Sequence, residues 1–188
     1  KTIVLKISGE LFSKKDDSFF NKDFALEFVK QIKILKEKCN IGIVIGGGNF
    51  FRWKTDGKSL NLNRSTADNV GMLATVMNAV ALQQALLNIG VEARVQSAIP
   101  ISPIAEPYVR MRAVKHLQAS RVVIFAAGTG NPFFTTDTAA SLRAAEINVN
   151  LLIKATKVDG VYDSDPMSNP QAKRYEQVSY DQILQERL

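Results

Sequence analysis

The chain carries one cysteine and one histidine in 188 residues, Cys39 and His116. A lone cysteine forms no internal disulfide, and a Cys/His zinc site cannot be assembled from one of each. Both fall in helical stretches and read as structural. No apolar run approaches the roughly 20 residues of a membrane helix, and Lys1 leads into a strand pattern without the charged-then-apolar segment of a signal peptide. A soluble, cytoplasmic protein is the expectation. Basic residues outnumber acidic ones by 24 to 18, a net charge of +6, yet they are scattered and form no run of five. Nucleic-acid binders show a clustered basic stripe with interleaved aromatics. The scatter fits solvated helix faces, and the net charge still suits small phosphorylated ligands. Repeats and Ser/Gly linkers are also lacking, and 46% hydrophobic content suffices for one substantial core, so residues 1–188 are expected to form a single domain.

What is present is alternation. Apolar runs at 2–7, 41–45, 91–96, 121–127 and 149–154 predict strands, and stretches at 23–38, 68–87, 107–118 and 138–148 between them predict helices. Such alternation implies an α/β fold with a largely parallel sheet and helices on both faces. Phe24, Phe28, Ile32 and Leu35 form one buried helical stripe, and Val70, Leu73, Met77, Val80 and Leu87 are expected to form another. Segments 13–22, 53–62, 98–106 and 159–173 read as irregular. The last element, 179–188, opens with Ser179 and Gln182 in capping-box spacing and stops at an apolar residue, which suggests that a C-terminal segment is missing.

Chemistry concentrates at the carboxyl ends of the predicted strands. After 121–127 comes Gly128-Thr129-Gly130-Asn131-Pro132-Phe133-Phe134-Thr135-Thr136-Asp137. Glycines allow close backbone approach to a ligand, Thr and Asn supply donors and acceptors, and a helix amino end offers N–H groups to an anion. The plainer reading is a connection with Thr136 or Asp137 as helix cap. After 41–45 comes Gly46-Gly47-Gly48-Asn49-Phe50-Phe51-Arg52, where successive amides could face a phosphate and Arg52 could add a bidentate contact. It matches neither the Walker A nor the dinucleotide spacing. Lys6 interrupts the first strand just before Ser8 and Gly9. It is either an outward-facing lysine or a buried charge that needs an anionic partner. Asp68 opens the second helix, as a cap or as the acceptor for a ribose diol. Following the fifth strand, Thr156, Tyr162 and Asp165 suit a purine and its ribose, or belong to a loop with turns at Asp159-Gly160 and Asp165-Pro166. In a parallel sheet these ends share one edge.

Lys6-Ile7-Ser8-Gly9-Glu10, the run 44–52, the run 71–78, Ser97-Ala98-Ile99-Pro100, the run 127–137 and the run 154–166 resemble the uridylate kinases of the amino acid kinase family, over essentially the whole chain. The resemblance implies a three-layer αβα sandwich, a homohexamer, and Mg-dependent transfer of the ATP γ-phosphoryl group to UMP. It assigns the ATP phosphates to Lys6, Ser8 and Gly9, and the neighbourhood of the transferring group to Gly48 and Arg52. UMP falls to Gly47 and Asp68, with Thr129, Gly130, Asn131, Pro132, Phe133, Phe134, Thr135 and Thr136 enclosing the uridylate. Thr156, Tyr162 and Asp165 go to the adenine nucleotide, and Asp137 orients a lysine or caps its helix. No protein ligand for the metal is implied; Mg2+ would be bound through the ATP phosphates. Residues 13–19 replace the glycine-containing loop of many relatives, which argues against GTP activation, whereas UTP could inhibit from the uridylate pocket. A kinase of carboxylates or carbamate, and a non-catalytic uridine nucleotide sensor on the same fold, are the competing readings.

Overall fold

The computed structural model describes residues 1–12, 21–156 and 158–187. Two compact units emerge, Lys1–Ala155 and Thr156–Leu188.

The first unit is built on a six-stranded sheet in the order β4-β3-β5-β2-β1-β6. Its strands are β1 Thr2–Ile7, β2 Asn40–Ile45, β3 Ala93–Ser97, β4 Glu106–Pro107, β5 Val122–Ala126 and β6 Leu151–Lys154. Every pairing is parallel. Central β5, Val-Val-Ile-Phe-Ala, is buried at every position, as a strand covered on both faces must be. Side chains alternate between two cores. Ile3, Ile7, Ile43 and Ile124 pack with α1 (Lys22–Lys36) and α2 (Arg64–Asn88). Val4, Val44, Val123 and Phe125 pack on the opposite face with α3 (Arg110–Gln118) and α4 (Thr136–Glu146). The parallel sheet with helices on both faces is therefore as the alternation predicted.

Several expectations change. The segment 98–106 is not wholly irregular: it ends in β4, whose Glu106 and Pro107 pair with Gln96 and Ser97. Proline is tolerated there because β4 is an edge strand. Consequently α3 starts at Arg110 and not at Pro107. Helix α2 starts at Arg64, because the Asn63 side chain caps it by accepting from the Thr66 N–H at 2.8 Å; Asp68 lies a turn further on and caps nothing. Thr135, not Thr136 or Asp137, caps α4, accepting from the Thr138 N–H at 3.3 Å.

The stripe expected on α2 is also misphased. Leu73, Met77 and Leu87 are exposed, while Met72, Val76, Ala79, Leu82 and Leu86 face the sheet. α2 is apolar around most of its circumference, so period alone does not fix which side turns inward. Small residues decide it: Ala74 and Thr75 let the helix backbone approach the glycine turn after β2, where a Cβ on Gly47 would lie 2.7 Å from that of Ala74. Contrary to the sequence expectation, α2 is long and apolar enough to cross a membrane by length and composition, with mean hydropathy 1.5 over its most apolar window, but 44% of that window is buried in the protein.

In the second unit, Tyr162 and Arg174 form an isolated antiparallel bridge, and α5, Tyr180–Glu186, is capped by Ser179 accepting from the Gln182 N–H at 3.1 Å.

Candidate active site

The turns after β1 and β2 interlock backbone to backbone. The Gly46 N–H donates to Ile7 C=O at 2.9 Å, and a Cβ on Gly9 would lie 2.6 Å from the Gly46 carbonyl oxygen, so residue 9 admits no side chain without displacement. From α2, buried Asn78 donates to Gly46 C=O and to Asn49 Oδ1, both at 2.7 Å, and Asn49 Nδ2 donates back to Asn78 Oδ1 at 3.0 Å. The glycine turn is thus fixed from the helix side. Arg52 closes it: its Nε donates to Gly48 C=O at 2.8 Å, and Nη2 lies 3.1 Å from Glu10 Oε1.

Lys6 is buried, 9% exposed, which removes the outward-facing reading. Its anionic partner in this structure is a carboxylate: Nζ lies 2.9 Å from Asp137 Oδ1. β6 runs beside β1 with Lys154 in register with Lys6, and Lys154 Nζ donates to Asp137 Oδ2 at 3.0 Å. One carboxylate from the first turn of α4 therefore positions two ammonium groups at the sheet edge. Burial pushes the Asp137 carboxyl up, but hydrogen bonds and charge from Lys6 and Lys154 outweigh it and hold the group below its ordinary 3.8. A depressed carboxyl contributes stability above its unfolded value and loses it as pH falls through the folded value. We therefore expect Asp137→Asn to lower the melting temperature at pH 7, with the gap to the parent protein closing as pH falls below about 4. A gap in melting temperature that is constant from pH 7 to 3 would contradict this.

Beside the glycine turn lies a cavity of about 310 Å³. Gly47 and Gly48 form one wall, Arg64, Asp68, Met72 and Thr75 of α2 a second, and Thr129, Asn131, Phe134, Thr135 and Thr136 a third, with Phe51 and Trp53 beside them. The last wall belongs to a turn with unusual backbone: Ala127, Gly128, Gly130 and Phe133 have φ of 61°, 58°, 82° and 72°. Thr75 supports it. Its Oγ1 accepts from the Ala127 N–H at 2.7 Å while donating to Met72 C=O at 2.7 Å. Asp68 supports its far end, accepting from the Phe133 N–H at 2.7 Å and from Arg64 Nε at 2.8 and 3.0 Å through its two oxygens.

Of the residues singled out in the sequence, the first unit brings Gly47, Gly48, Asp68, Thr129, Asn131, Phe134, Thr135 and Thr136 onto one cavity. Lys6, Ser8, Gly9, Arg52 and Asp137 stand at the same carboxyl edge without lining it; Gly130, Pro132 and Phe133 also lie off the lining, and Phe133 is 66% exposed. Sequence reasoning gave no individual role to Lys154, Trp53, Arg64 or Thr75. Lys154 carries the same signal that picked out Lys6, a charge ending an apolar strand. Trp53 was in a segment read as irregular but forms part of a π-helical turn, Trp53–Gly57. Arg64 and Thr75 lie within α2, where nothing in the pattern separates them from ordinary helix residues.

In the second unit Tyr162 Oη donates to Asp159 Oδ1 at 2.6 Å, Asp165 Oδ1 accepts from the Met167 N–H at 2.9 Å, and Thr156 Oγ1 donates to Val158 C=O. The Asp159 hydrogen bond raises the Tyr162 phenol above its ordinary value. Asp165-Pro166 opens the expected turn, with the Ser168 N–H donating to Asp165 C=O at 3.2 Å, while Asp159-Gly160 forms a bend; the segment 13–19, expected to differ from an effector loop, lies outside the described residues.

A parallel α/β sheet whose carboxyl edge gathers ammonium groups, a guanidinium and glycine amides beside a partly apolar cavity defines a protein that handles phosphorylated small molecules. The chain belongs to the amino acid kinase family, whose sequence profile matches residues 1–187. It is 51% identical to uridylate kinases of Erythrobacter litoralis and Methylococcus capsulatus, in each case over 189 aligned positions that cover 100% of this chain and 79% of the relative. Among solved structures it superimposes on UMP kinase from Ureaplasma parvum with a TM-score of 0.95 at 38% identity, covering 100% of this chain and 80% of the other. For the UMP kinase from Bacillus anthracis the TM-score is 0.95 at 36% identity, with 100% and 78% covered. The fold is the amino acid kinase fold.

Proposed function

We propose that this chain is a UMP kinase, transferring the γ-phosphoryl group of ATP to UMP to give UDP and ADP in pyrimidine nucleotide synthesis. One observation carries it: the cavity walled by Asp68 and by the turn from Thr129 to Thr136 opens beside the buried Lys6 and its Asp137 partner. Uridylate kinases with 51% identity along the whole chain support the same reading.

The chemistry needs no general base. The acceptor is a phosphate oxygen that is anionic at neutral pH, so the protein has to hold two polyanions in line and neutralise charge as it develops on the transferring group. Lys6 and Lys154, fixed by Asp137, supply two of the charges, and Arg52 supplies a third beside the Gly48 backbone. Ser8, Gly9 and Gly48 take the ATP phosphates; Gly47 and Asp68 take UMP. Thr129 and Asn131 sit toward the base, Phe134 and Thr135 border the nucleoside, and Thr136 meets the phosphate end, with Gly130, Pro132 and Phe133 completing the turn around the uridylate.

Among the described residues no three His, Cys, Asp or Glu side chains gather as a metal site. At the sheet edge the Asp137 carboxylate is engaged by Lys6 and Lys154, and Glu10 by Arg52, beside cations and amides; we propose that Mg2+ comes carried on the nucleotide phosphates. When bound there, Mg2+ would neutralise phosphate charge and order the β- and γ-phosphates. We further propose that residues 1–188 act as one kinase domain in a cytoplasmic homohexamer. The exposed Leu73, Met77 and Leu87 on α2 supply apolar surface for assembly, and the mass in sedimentation equilibrium tests it.

Formation of UDP from UMP and Mg-ATP, followed by chromatography, tests the activity; absence of UDP from folded protein would refute it. Asp68→Asn is expected to raise KM for UMP by about tenfold or more, with a smaller effect on kcat, because a charged acceptor is replaced by a neutral amide. An unchanged KM would remove Asp68 from the UMP site.

A further inference from the structure

We infer that Arg64 is a positioning and specificity residue of this pocket, orienting Asp68 and presenting its own free N–H groups so that the pair reads the ribose of the acceptor; this rests on the UMP kinase reading. Arg64 is the first residue of α2, and its Nε bonds both oxygens of Asp68, at 2.8 and 3.0 Å. Asp68 is largely enclosed, its side chain 16% exposed against 40% for Arg64. The guanidinium carbon lies 5.3 Å from the ring centre of Trp53 and 5.9 Å from that of Phe133, and Asp68 accepts from the Phe133 N–H. One guanidinium thus touches the π-helical turn, the helix and the glycine-rich turn around the cavity.

The bonds Arg64 makes among the described residues all use Nε. A guanidinium has five N–H donors in a rigid plane, so both terminal amino groups remain to donate at the cavity wall that Arg64 lines. A ribose presents two adjacent hydroxyls, each both donor and acceptor. A carboxylate alone can only accept from them; a carboxylate with a guanidinium fixed beside it satisfies both their protons and their lone pairs. A 2′-deoxyribose leaves part of that pair unmet, and sites built to bond a hydroxyl reject analogues that lack it. Trp53 and Phe133 lie within cation–π range of the guanidinium, whose planar delocalised charge and donor fork lysine does not reproduce. The simpler role, an i,i+4 ion pair supporting the first turns of α2, would affect stability alone.

The test compares full-length parent, Arg64→Ala and Arg64→Lys for kcat and KM with UMP, 2′-deoxy-UMP and Mg-ATP. Nucleotide binding is also followed by fluorescence of Trp53, the chain's sole tryptophan. Arg64→Ala is expected to raise KM for UMP roughly tenfold to a hundredfold, the loss of a charge-assisted contact, with KM for Mg-ATP held within about twofold. Its preference for UMP over 2′-deoxy-UMP should fall to near unity. Arg64→Lys should recover the parent's thermal stability but not that preference. An undiminished preference in either folded variant overturns the proposal. A parent that binds UMP over 2′-deoxy-UMP without forming UDP would sink the kinase reading, and the fluorescence titrations would still decide the role of Arg64. A parent that binds neither nucleotide overturns both.

Discussion

Lys6→Met is expected to lower kcat by about three orders of magnitude, with KM for UMP changed by no more than about threefold. Lys6 is the penultimate residue of β1, an interior strand, is 9% exposed, and has its ammonium fixed by Asp137 at 2.9 Å. A preorganised, poorly solvated charge at the point where negative charge develops contributes mainly in the transition state, where its attraction is not spent on displacing water. Methionine keeps most of the aliphatic stem, so packing beside Val44, its register partner on β2, is preserved. Asp137 retains Lys154 at 3.0 Å, so the variant should fold. Steady-state kinetics, with thermal unfolding as the control, check the prediction. A loss in kcat below about tenfold would make Lys6 a structural ion-pair partner.

Asn78→Ala is expected to destabilise the protein by about 2–4 kcal/mol, read from the urea unfolding midpoint, and to reduce activity further than the unfolded fraction explains. Asn78 is 1% exposed and makes three hydrogen bonds, one to Gly46 C=O and two with the Asn49 amide. Alanine leaves the buried Gly46 carbonyl without that donor and opens a gap between α2 and the glycine turn. Because Gly47 and Gly48 follow directly, the amides facing the cavity lose their fixed geometry. A stability change below about 1 kcal/mol would mean that other groups take over those bonds.

The architecture was legible because β1, β2, β5 and β6 are mostly apolar, with Lys6 and Lys154 falling only near the ends of β1 and β6, and helix-length segments separate the successive runs. β4 escaped notice since two residues, one of them proline, carry no period. The strand ends pointed to the right edge of the sheet for a topological reason that holds whatever the side chains do. Local rules served less well within α2. Asp68 has the residue type of a cap, yet Asn63 does the capping and leaves Asp68 to hold Phe133; choosing between two eligible caps requires knowing where the chain turns. The phase of the α2 stripe failed because Leu73 and Met77 are as hydrophobic as Met72 and Val76, and only close approach to Gly47 selects between them. Lys6 was correctly flagged as a charge in need of an anion. That the anion is Asp137, with Lys154 sharing it, follows from β6 lying beside β1, an adjacency that no local pattern in the sequence encodes.

The most direct test is ADP release from Mg-ATP by the protein with UMP, CMP, AMP, aspartate and carbamate offered separately as acceptors. Turnover with UMP at least about a hundredfold above every other acceptor, the scale of discrimination expected from several directed hydrogen bonds, is the predicted result. Turnover with aspartate or carbamate exceeding that with UMP, or none with any acceptor from folded protein that still binds UMP, would contradict it.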